Sequence, residues 1–222
     1  MNVTKHLLND IKPLREGDTL AVAIEAMHEC KFEHFPVVVH DNLYLGLVND
    51  EDLLEVPNDE ESISKCYHLV KKHAINQNDH VYNAVKMIGE ANLSLLPIVD
   101  DNGAYKGYIS TAELLQDLGG ILSFSEPGGI LVLRVDSRDY QLSQVSQIVE
   151  SNDGKIIGVH LNEDENDLEK IRVVLKINQT DLSRIVKSFE RYNYEIVEVF
   201  HQSVFGDNLG DRYDAFMKYL NM

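Results

Sequence analysis

The sequence lacks several features that would by themselves assign a class of protein. It has no tryptophan and only two cysteines, Cys30 and Cys66, which are far apart and do not have the spacing of metal ligands. It has no apolar run near the roughly 18 residues that a membrane span needs, and its first residues lack the apolar core of a signal peptide. We therefore expect a soluble, cytoplasmic protein with no disulfide framework and no membrane partner.

Basic residues are also scarce. The chain has 20 lysines and arginines against 37 aspartates and glutamates, a formal net charge of −17. A field of this sign repels nucleic acid, so no nucleic-acid partner is expected. The acidic residues cluster at turns and helix starts, as in Asp59-Glu60-Glu61, which indicates a solvated surface.

Motifs of catalysis are missing as well. The sequence contains no nucleophile elbow, no phosphate-binding Walker loop and no dinucleotide glycine motif. Its nine histidines lack the i, i+4 pairing or the cysteine partners of a metal site. We predict no catalytic residues and no metal ligands, and hence a protein that is not an enzyme.

What the chain does contain is an internal repeat with an offset of 61 residues, which holds without a gap over some forty positions. The matching residues are Asp18 and Asp79, Ala23 and Ala84, Pro36 and Pro97, Gly46 and Gly107, Asp52 and Glu113, and Leu53-Leu54 and Leu114-Leu115. A chance match would not also repeat the order of predicted secondary structure, so the first half of the chain is a duplication.

Each copy has an α-β-β-α pattern. A capping aspartate, Asp18 or Asp79, opens an amphipathic helix, and Pro36 or Pro97 then starts an apolar strand. A turn and a second strand lead to a helix that begins at Asn49 or Ser110, and a short strand, around Ile11 or around residues 74–75, precedes each unit. Such a unit is too small to close a core alone, so the two copies should pack together.

These duplicated strands and the polar-x-x-acid-Leu-Leu helix starts resemble the CBS domain, in the tandem form called a Bateman module. The resemblance covers residues 1–122, with repeats at about 10–60 and 71–121. It implies an adenosyl ligand in a cleft between the repeats, with the acid contacting the ribose hydroxyls. Transferred by position, the implied ligand-binding residues are Asn49, Asp52, Ser110, Glu113, His34, Pro36 and Pro97.

The same helix starts have a second interpretation. Ser110 and Glu113 form a capping box, and Asn49 with Asp52 can do the same, in which case the pattern stabilises helices without any ligand. The two roles are compatible, and both stay open at this point. His34 is the sole basic candidate before a proline. The resemblance therefore favours AMP, another phosphate-poor adenosyl compound or an empty module over ATP, and it assigns no certain cofactor.

The second half of the chain predicts a different fold. A glycine- and proline-rich hinge, residues 123–129, precedes a β-α-β-β-α-β pattern over residues 130–203. That order is ferredoxin-like and resembles an ACT domain, although the Pro-Gly step typical of amino-acid-binding members is absent after the first strand. Residues 204–222 predict a C-terminal helical tail.

The whole is an α+β protein that resembles acetoin-utilisation regulatory proteins. The resemblance implies a homodimeric sensor that binds a small adenosyl ligand. The alternative is a ligand-free scaffold that recruits a partner enzyme through its CBS or ACT-like surfaces.

Overall fold

The computed structural model describes residues 2–123 and 126–201. The predicted C-terminal helical tail lies outside these residues. The chain forms two compact units, divided between Leu118 and Gly119. Within the described residues, no helix is both long enough and apolar enough to cross a membrane.

The first unit consists of two three-stranded sheets with helices. Its elements are β1 (Leu14–Arg15), α1 (Leu20–Cys30), β2 (His34–Val38), β3 (Tyr44–Asn49), α2 (Asp50–Leu54), β4 (Ile75–Asn76), α3 (Val81–Ala91), β5 (Leu95–Val99), β6 (Tyr105–Ser110) and α4 (Thr111–Ile121). The sheet orders are β1-β2-β3 and β4-β5-β6. In each sheet the short first strand is parallel to the second, and the third is antiparallel.

The strand registers confirm the duplication residue by residue. His34 pairs with Asn49 in the first sheet, and Leu95 pairs with Ser110 in the second, 61 residues later in both strands. The same irregularity recurs at equivalent places, after Val37 and after Ile98. The two repeats therefore share their backbone geometry as well as their sequence pattern.

Two boundary predictions were wrong. The short strand expected around Ile11 lies at Leu14–Arg15, while Ile11 is a buried loop residue. Pro36 and Pro97 do not start their strands but lie in the middle of β2 and β5. Within the described part of the chain, β1 pairs only with Val37 and Val38 and Pro36 has a neighbouring strand on one side alone. Its missing N–H therefore costs the sheet no hydrogen bond on the open side.

The predicted helix caps Asp18 and Asp79 were also wrong, by one residue. Thr19 caps α1 and His80 caps α3, each accepting from a backbone amide in the first turn. Asp18 instead accepts a hydrogen bond from the Arg15 amide, and Asp79 accepts one from the equivalent Asn76 amide. The aspartates therefore close the turn that joins the short strand to the helix.

The segment at the start of each repeat packs on a strand of the opposite repeat. Leu8 forms a bridge with Tyr108 on β6, and Lys71 forms the equivalent bridge with Leu47 on β3. The repeat glycines make this approach possible. A Cβ on Gly46 would lie 2.8 Å from the Lys71 carbonyl oxygen, and one on Gly107 would overlap the Leu8 carbonyl oxygen. The glycine in each second strand is therefore required by close backbone contact.

The second unit has the predicted β-α-β-β-α-β order. Its elements are β7 (Gly129–Asp136), α5 (Leu142–Glu150), β8 (Ile156–Asp164), β9 (Asp167–Ile177), α6 (Ser183–Arg191) and β10 (Glu195–Phe200). The sheet is antiparallel, in the order β10-β7-β9-β8. The ferredoxin-like, ACT-like fold class is thus confirmed.

Helices α5 and α6 provide the apolar side chains that close this second core. Val145, Val149, Ile185 and Phe189 are fully buried with the inward-facing residues of β7 and β9. The alternation of buried and half-buried residues along β9 fits a sheet with one face on the core. The glycine pair Gly119-Gly120 lies within α4, so this part of the glycine-rich stretch is helical and does not form a loop.

Candidate functional site

The first residues of α2 and α4 are held by the side-chain caps of the second interpretation, whereas the return bond of a capping box, from the acid to the cap amide, is not seen among the described residues. Asn49 Oδ1 accepts hydrogen bonds from the backbone nitrogens of Glu51 (2.8 Å) and Asp52 (3.4 Å). Ser110 Oγ accepts one from the backbone nitrogen of Glu113 (3.1 Å). Both polar residues stabilise helix starts, which leaves the acidic side chains free for other contacts.

In the first repeat, the acidic side chain has a partner from the chain itself. The Asp52 carboxylate accepts a charge-assisted hydrogen bond from Lys71 Nζ at 2.7 Å. Lys71 belongs to the segment that crosses Gly46, so the backbone bridge brings the ammonium group to the carboxylate. Both side chains are partly exposed, and the pair therefore contributes little stability by itself.

In the second repeat, the equivalent acid has no such partner. Glu113 Oε2 is shut off from solvent and has no hydrogen-bond partner among the described residues. A buried carboxylate oxygen without a donor is unfavourable, because its water hydrogen bonds are lost and not replaced. The capping residue beside it, Ser110, is buried at 8% exposure. The two repeats therefore offer chemically different acids at equivalent positions.

His34 is buried at the start of β2, at 9% exposure. Its Nε2 lies 3.2 Å from Asn49 Nδ2, and its Nδ1 lies 3.3 Å from both the hydroxyl and the amide nitrogen of Ser94. Burial lowers the pKa of His34, and the positive charges of Lys71 and His73 lower it further, against the opposing effect of Glu33 and Asp50. The lowered pKa favours the neutral ring at this contact between the two repeats, and a neutral ring can accept a hydrogen bond at only one of its two nitrogens.

The two prolines contribute through the backbone. Pro36 is paired with Leu47 on β3, and Pro97 with Tyr108 on β6. Both are buried within their strands. Each lies two residues after the first residue of its strand, which is His34 in the first repeat and Leu95 in the second.

A separate cleft of about 740 Å³ lies beside β1 and the end of β2. It is lined by both acidic and basic residues, among them Lys12, Arg15, Glu16 and Asp18. None of the seven predicted site residues lines it. Across the described ranges, no three His, Cys, Asp or Glu side chains converge as a metal site would require.

The sequence analysis missed Lys71 and Ser94, the residues that contact Asp52 and His34. The gap-free repeat register does not indicate Lys71, because the backbone bridges of the structure relate Leu8 to Lys71 by an offset of 63 instead of 61. The segments before the two repeats therefore match only when two residues are inserted. No signal in the sequence marks Ser94, which is a small polar residue at an equivalent position to Glu33.

Comparison with known proteins follows the same division of the chain. The CBS domain family matches residues 5–59 and 69–120. A homoserine O-acetyltransferase from Methanococcus vannielii is 28% identical over 112 residues, which are 49% of this chain and 23% of that protein. The chain thus spans about a quarter of this curated relative.

Solved structures show the same similarity. A CBS domain pair/ACT domain protein from Thermotoga maritima is 24% identical, with a TM-score of 0.50 over 55% of this chain and 99% of that chain. The CBS domains of a transcriptional regulator from Streptococcus pneumoniae are 17% identical (TM-score 0.47; 52% of this chain, 98% of that one). CBSX2 in complex with AMP is 18% identical (TM-score 0.47; 54% and 97%).

The 61-residue duplication, the matched strand registers and the two family matches agree. The first half of this chain belongs to the CBS domain family and is a tandem pair of CBS domains.

Proposed function

We propose that this chain is a non-catalytic regulatory protein whose CBS pair binds a small adenosyl ligand beside Ser110 and Glu113. The observation that carries the proposal is the closed-off Glu113 Oε2, which has no donor among the described residues. A ribose hydroxyl is a donor of the required kind, and a hydrogen bond to a carboxylate is among the stronger ones. Bound ligand would therefore satisfy a group that the chain leaves unsatisfied.

The first repeat is the weaker candidate for the same role. Lys71 already donates to the Asp52 carboxylate, and Asn49 contacts His34 while it caps α2. A ligand hydroxyl would have to displace the ammonium group from Asp52 and would lose that attraction. We therefore assign the ligand to the Glu113 side and an internal, structural role to the Asp52 side.

The charges near these residues favour a ligand with few phosphates. The lowered pKa of His34 favours its neutral form, and the equivalent position in the second repeat is the apolar Leu95. Neither can balance a phosphate, and the chain as a whole carries −17. AMP, adenosine and S-adenosylmethionine are accordingly better candidates than ATP.

We further propose that the ACT-like unit pairs with a second copy through β8. Of the two edge strands, β10 is interrupted by an irregularity after Ile196 and carries Glu195 and Glu198, which are features that oppose pairing. β8 is nine residues long and has no charged residue before Glu163. Within the described residues it pairs only with β9. A long edge whose first seven residues, 156–162, include no acidic, lysine or arginine side chain favours an antiparallel partner strand.

The alternative function is a ligand-free scaffold that recruits a partner enzyme. The internal pair Lys71–Asp52 favours it, because the chain itself completes one of the two equivalent sites. The partial match to an acetyltransferase also supports an enzyme as the partner, since a segment similar to this chain occurs there beside other sequence. The identity of that partner enzyme is not predicted.

Titration calorimetry with AMP, ADP, ATP, adenosine and S-adenosylmethionine tests the proposal on the full chain. The variants are Glu113→Gln and Asp52→Asn, which keep side-chain size and leave the caps Ser110 and Asn49 in place. A carboxylate that accepts from ribose contributes about tenfold or more to affinity. We expect Glu113→Gln to weaken binding by at least about tenfold and Asp52→Asn to leave it unchanged.

The outcomes separate the two functions. Saturable binding that is lost in Glu113→Gln supports the sensor and its site. Binding that is lost only in Asp52→Asn keeps the sensor but places its ligand in the first repeat. No binding of any of the five compounds contradicts the adenosyl proposal and leaves the scaffold as the better explanation.

A further inference from the structure

A groove of about 340 Å³ lies between α5 and α6 of the second unit. From α5 it is lined by Gln144 and Gln147 and, at the C-cap of this helix, by Ser151, which repeat at helical spacing along one stripe. From α6 it is lined by Ser188 and Arg191. Its size falls within the range of small-molecule sites.

The floor of the groove is held by hydrogen bonds between the two helices. Asn152, just after α5, donates through Nδ2 to the Ser188 hydroxyl at 3.0 Å and to the Ile148 carbonyl oxygen at 2.8 Å. Gln179 donates to the Asn152 carbonyl oxygen at 3.2 Å. The bond between Asn152 and Ser188 links the two helices at the floor of the groove, and the groove is open in the structure.

One end of the groove is aromatic. Tyr194 packs edge-on against the buried Phe189 and donates its hydroxyl to Gln144 Oε1 at 3.3 Å. Arg191 lies over the Tyr192 ring, with its guanidinium carbon 5.3 Å from the ring centre. Two tyrosine rings thus form an apolar wall beside a cation.

The charge of the groove is the reverse of that of the chain. None of its nine lining residues is acidic, although the chain has 37 acidic residues against 20 basic ones. Arg191 has no carboxylate partner within residues 2–123 and 126–201. An arginine fork without a carboxylate, in a polar groove, is suited to a planar anion.

We propose that this groove binds a small organic carboxylate with an aromatic or apolar body. The carboxylate pairs with Arg191, the body packs on the tyrosine wall, and the free amide of Gln147 donates a further hydrogen bond. A zwitterionic amino acid fits less well, because no acidic side chain lines the groove to receive its ammonium group. The site is independent of the adenosyl ligand proposed for the CBS pair.

Three probes of similar size test the proposal on the full chain: 3-phenylpropanoate, the neutral 3-phenylpropan-1-ol and zwitterionic L-phenylalanine. Titration calorimetry and amide chemical-shift changes measure affinity and place the contact. We expect saturable binding of 3-phenylpropanoate with shifts confined to α5, α6 and Tyr194. The alcohol and L-phenylalanine should bind at least about tenfold more weakly. The alcohol has no carboxylate, and in L-phenylalanine an ammonium group opposes the charge of the carboxylate.

The variant Arg191→Gln should weaken 3-phenylpropanoate binding by at least about tenfold, and Arg191→Lys should recover part of it as a point charge. Arg184→Gln is the matched control, since Arg184 is also exposed on α6 but does not line the groove. Equal affinity for the three probes, full affinity in Arg191→Gln, an equal loss in Arg184→Gln, or no binding of any probe would each overturn the proposal. Exposed positions on a helix keep these variants folded, and circular dichroism verifies it.

Discussion

Asn49 contacts His34 through one end of its amide while the other end caps a helix. Its Oδ1 accepts from two backbone amides at the start of α2, which turns Nδ2 toward His34 Nε2 at 3.2 Å. A protonated ring would be a donor at both nitrogens, facing the amide group of Asn49 and the amide N–H of Ser94. Burial, the largest cause of the shift, lowers the pKa of His34 here, and a residue that resembles a ligand contact is part of the repeat interface.

This relationship predicts a loss of stability in mild acid. The pKa of His34 is lowered in the folded chain, whereas the unfolded chain titrates near the ordinary value of about 6.5. Between those two pKa values the unfolded state binds more protons, so the free energy of unfolding falls as the pH drops below about 6.5 and levels off above it. Urea unfolding across this pH range, with His34→Gln against the parent chain, measures the difference.

Two variants make that prediction specific. Asn49→Asp keeps the cap but places an acceptor against Nε2, so acidification should cost less stability than in the parent chain. His28→Gln, on an exposed position of α1, should leave the pH dependence unchanged. If His34→Gln shows the same slope as the parent chain, His34 is not the titrating group.

We predict that removal of the two helix caps lowers the free energy of unfolding by different amounts. Ser110→Ala removes one hydrogen bond at the start of α4 and should lower the free energy of unfolding by about 1 kcal/mol. Asn49→Ala removes two cap bonds and also the contact with His34, so it should lower the free energy of unfolding more, by about 2 kcal/mol. Chemical denaturation checks the order, and a larger cost for Ser110→Ala would contradict it.

The repeat, its strands and the ferredoxin-like order could be predicted because each depends on local periodicity and on turn residues. The pairs Lys71–Asp52 and His34–Ser94 could not, because the partners are 19 and 60 residues apart and meet only through packing. Pro36 was misplaced for a related reason. A proline is unfavourable inside a strand only where its neighbour needs the N–H, and the length of that neighbour, β1, is not apparent from the sequence.

The repeat glycines predict a strong contrast between substitutions to alanine. In Gly46→Ala the new methyl group would overlap the Val70 side chain and lie 2.8 Å from the Lys71 carbonyl oxygen. In Gly107→Ala it would overlap the Leu8 carbonyl oxygen at a φ of +152°. Each should destabilise by about 1–3 kcal/mol, because backbone atoms must move to make room.

Gly89→Ala is the matched control for both. Gly89 is exposed on α3, and a Cβ there meets nothing within 4 Å. Alanine should stabilise the helix by about 0.5–1 kcal/mol. Thermal or urea unfolding of the three variants should therefore give opposite signs, and a neutral Gly46→Ala or Gly107→Ala would contradict the close crossing of the preceding segment.

We predict that one charged side chain introduced on β8 weakens the proposed dimer. Leu161 lies on β8 and is 51% exposed, so a lysine there places a charge at the proposed strand contact without filling the core. Leu168→Lys is the matched control, because Leu168 is 89% exposed on β9. In sedimentation equilibrium we expect Leu161→Lys to weaken self-association by at least about tenfold and Leu168→Lys to leave it unchanged.

A parent chain that stays monomeric, or equal weakening in both variants, would rule out pairing through β8. Either result would move the site of any regulatory contact to the CBS pair.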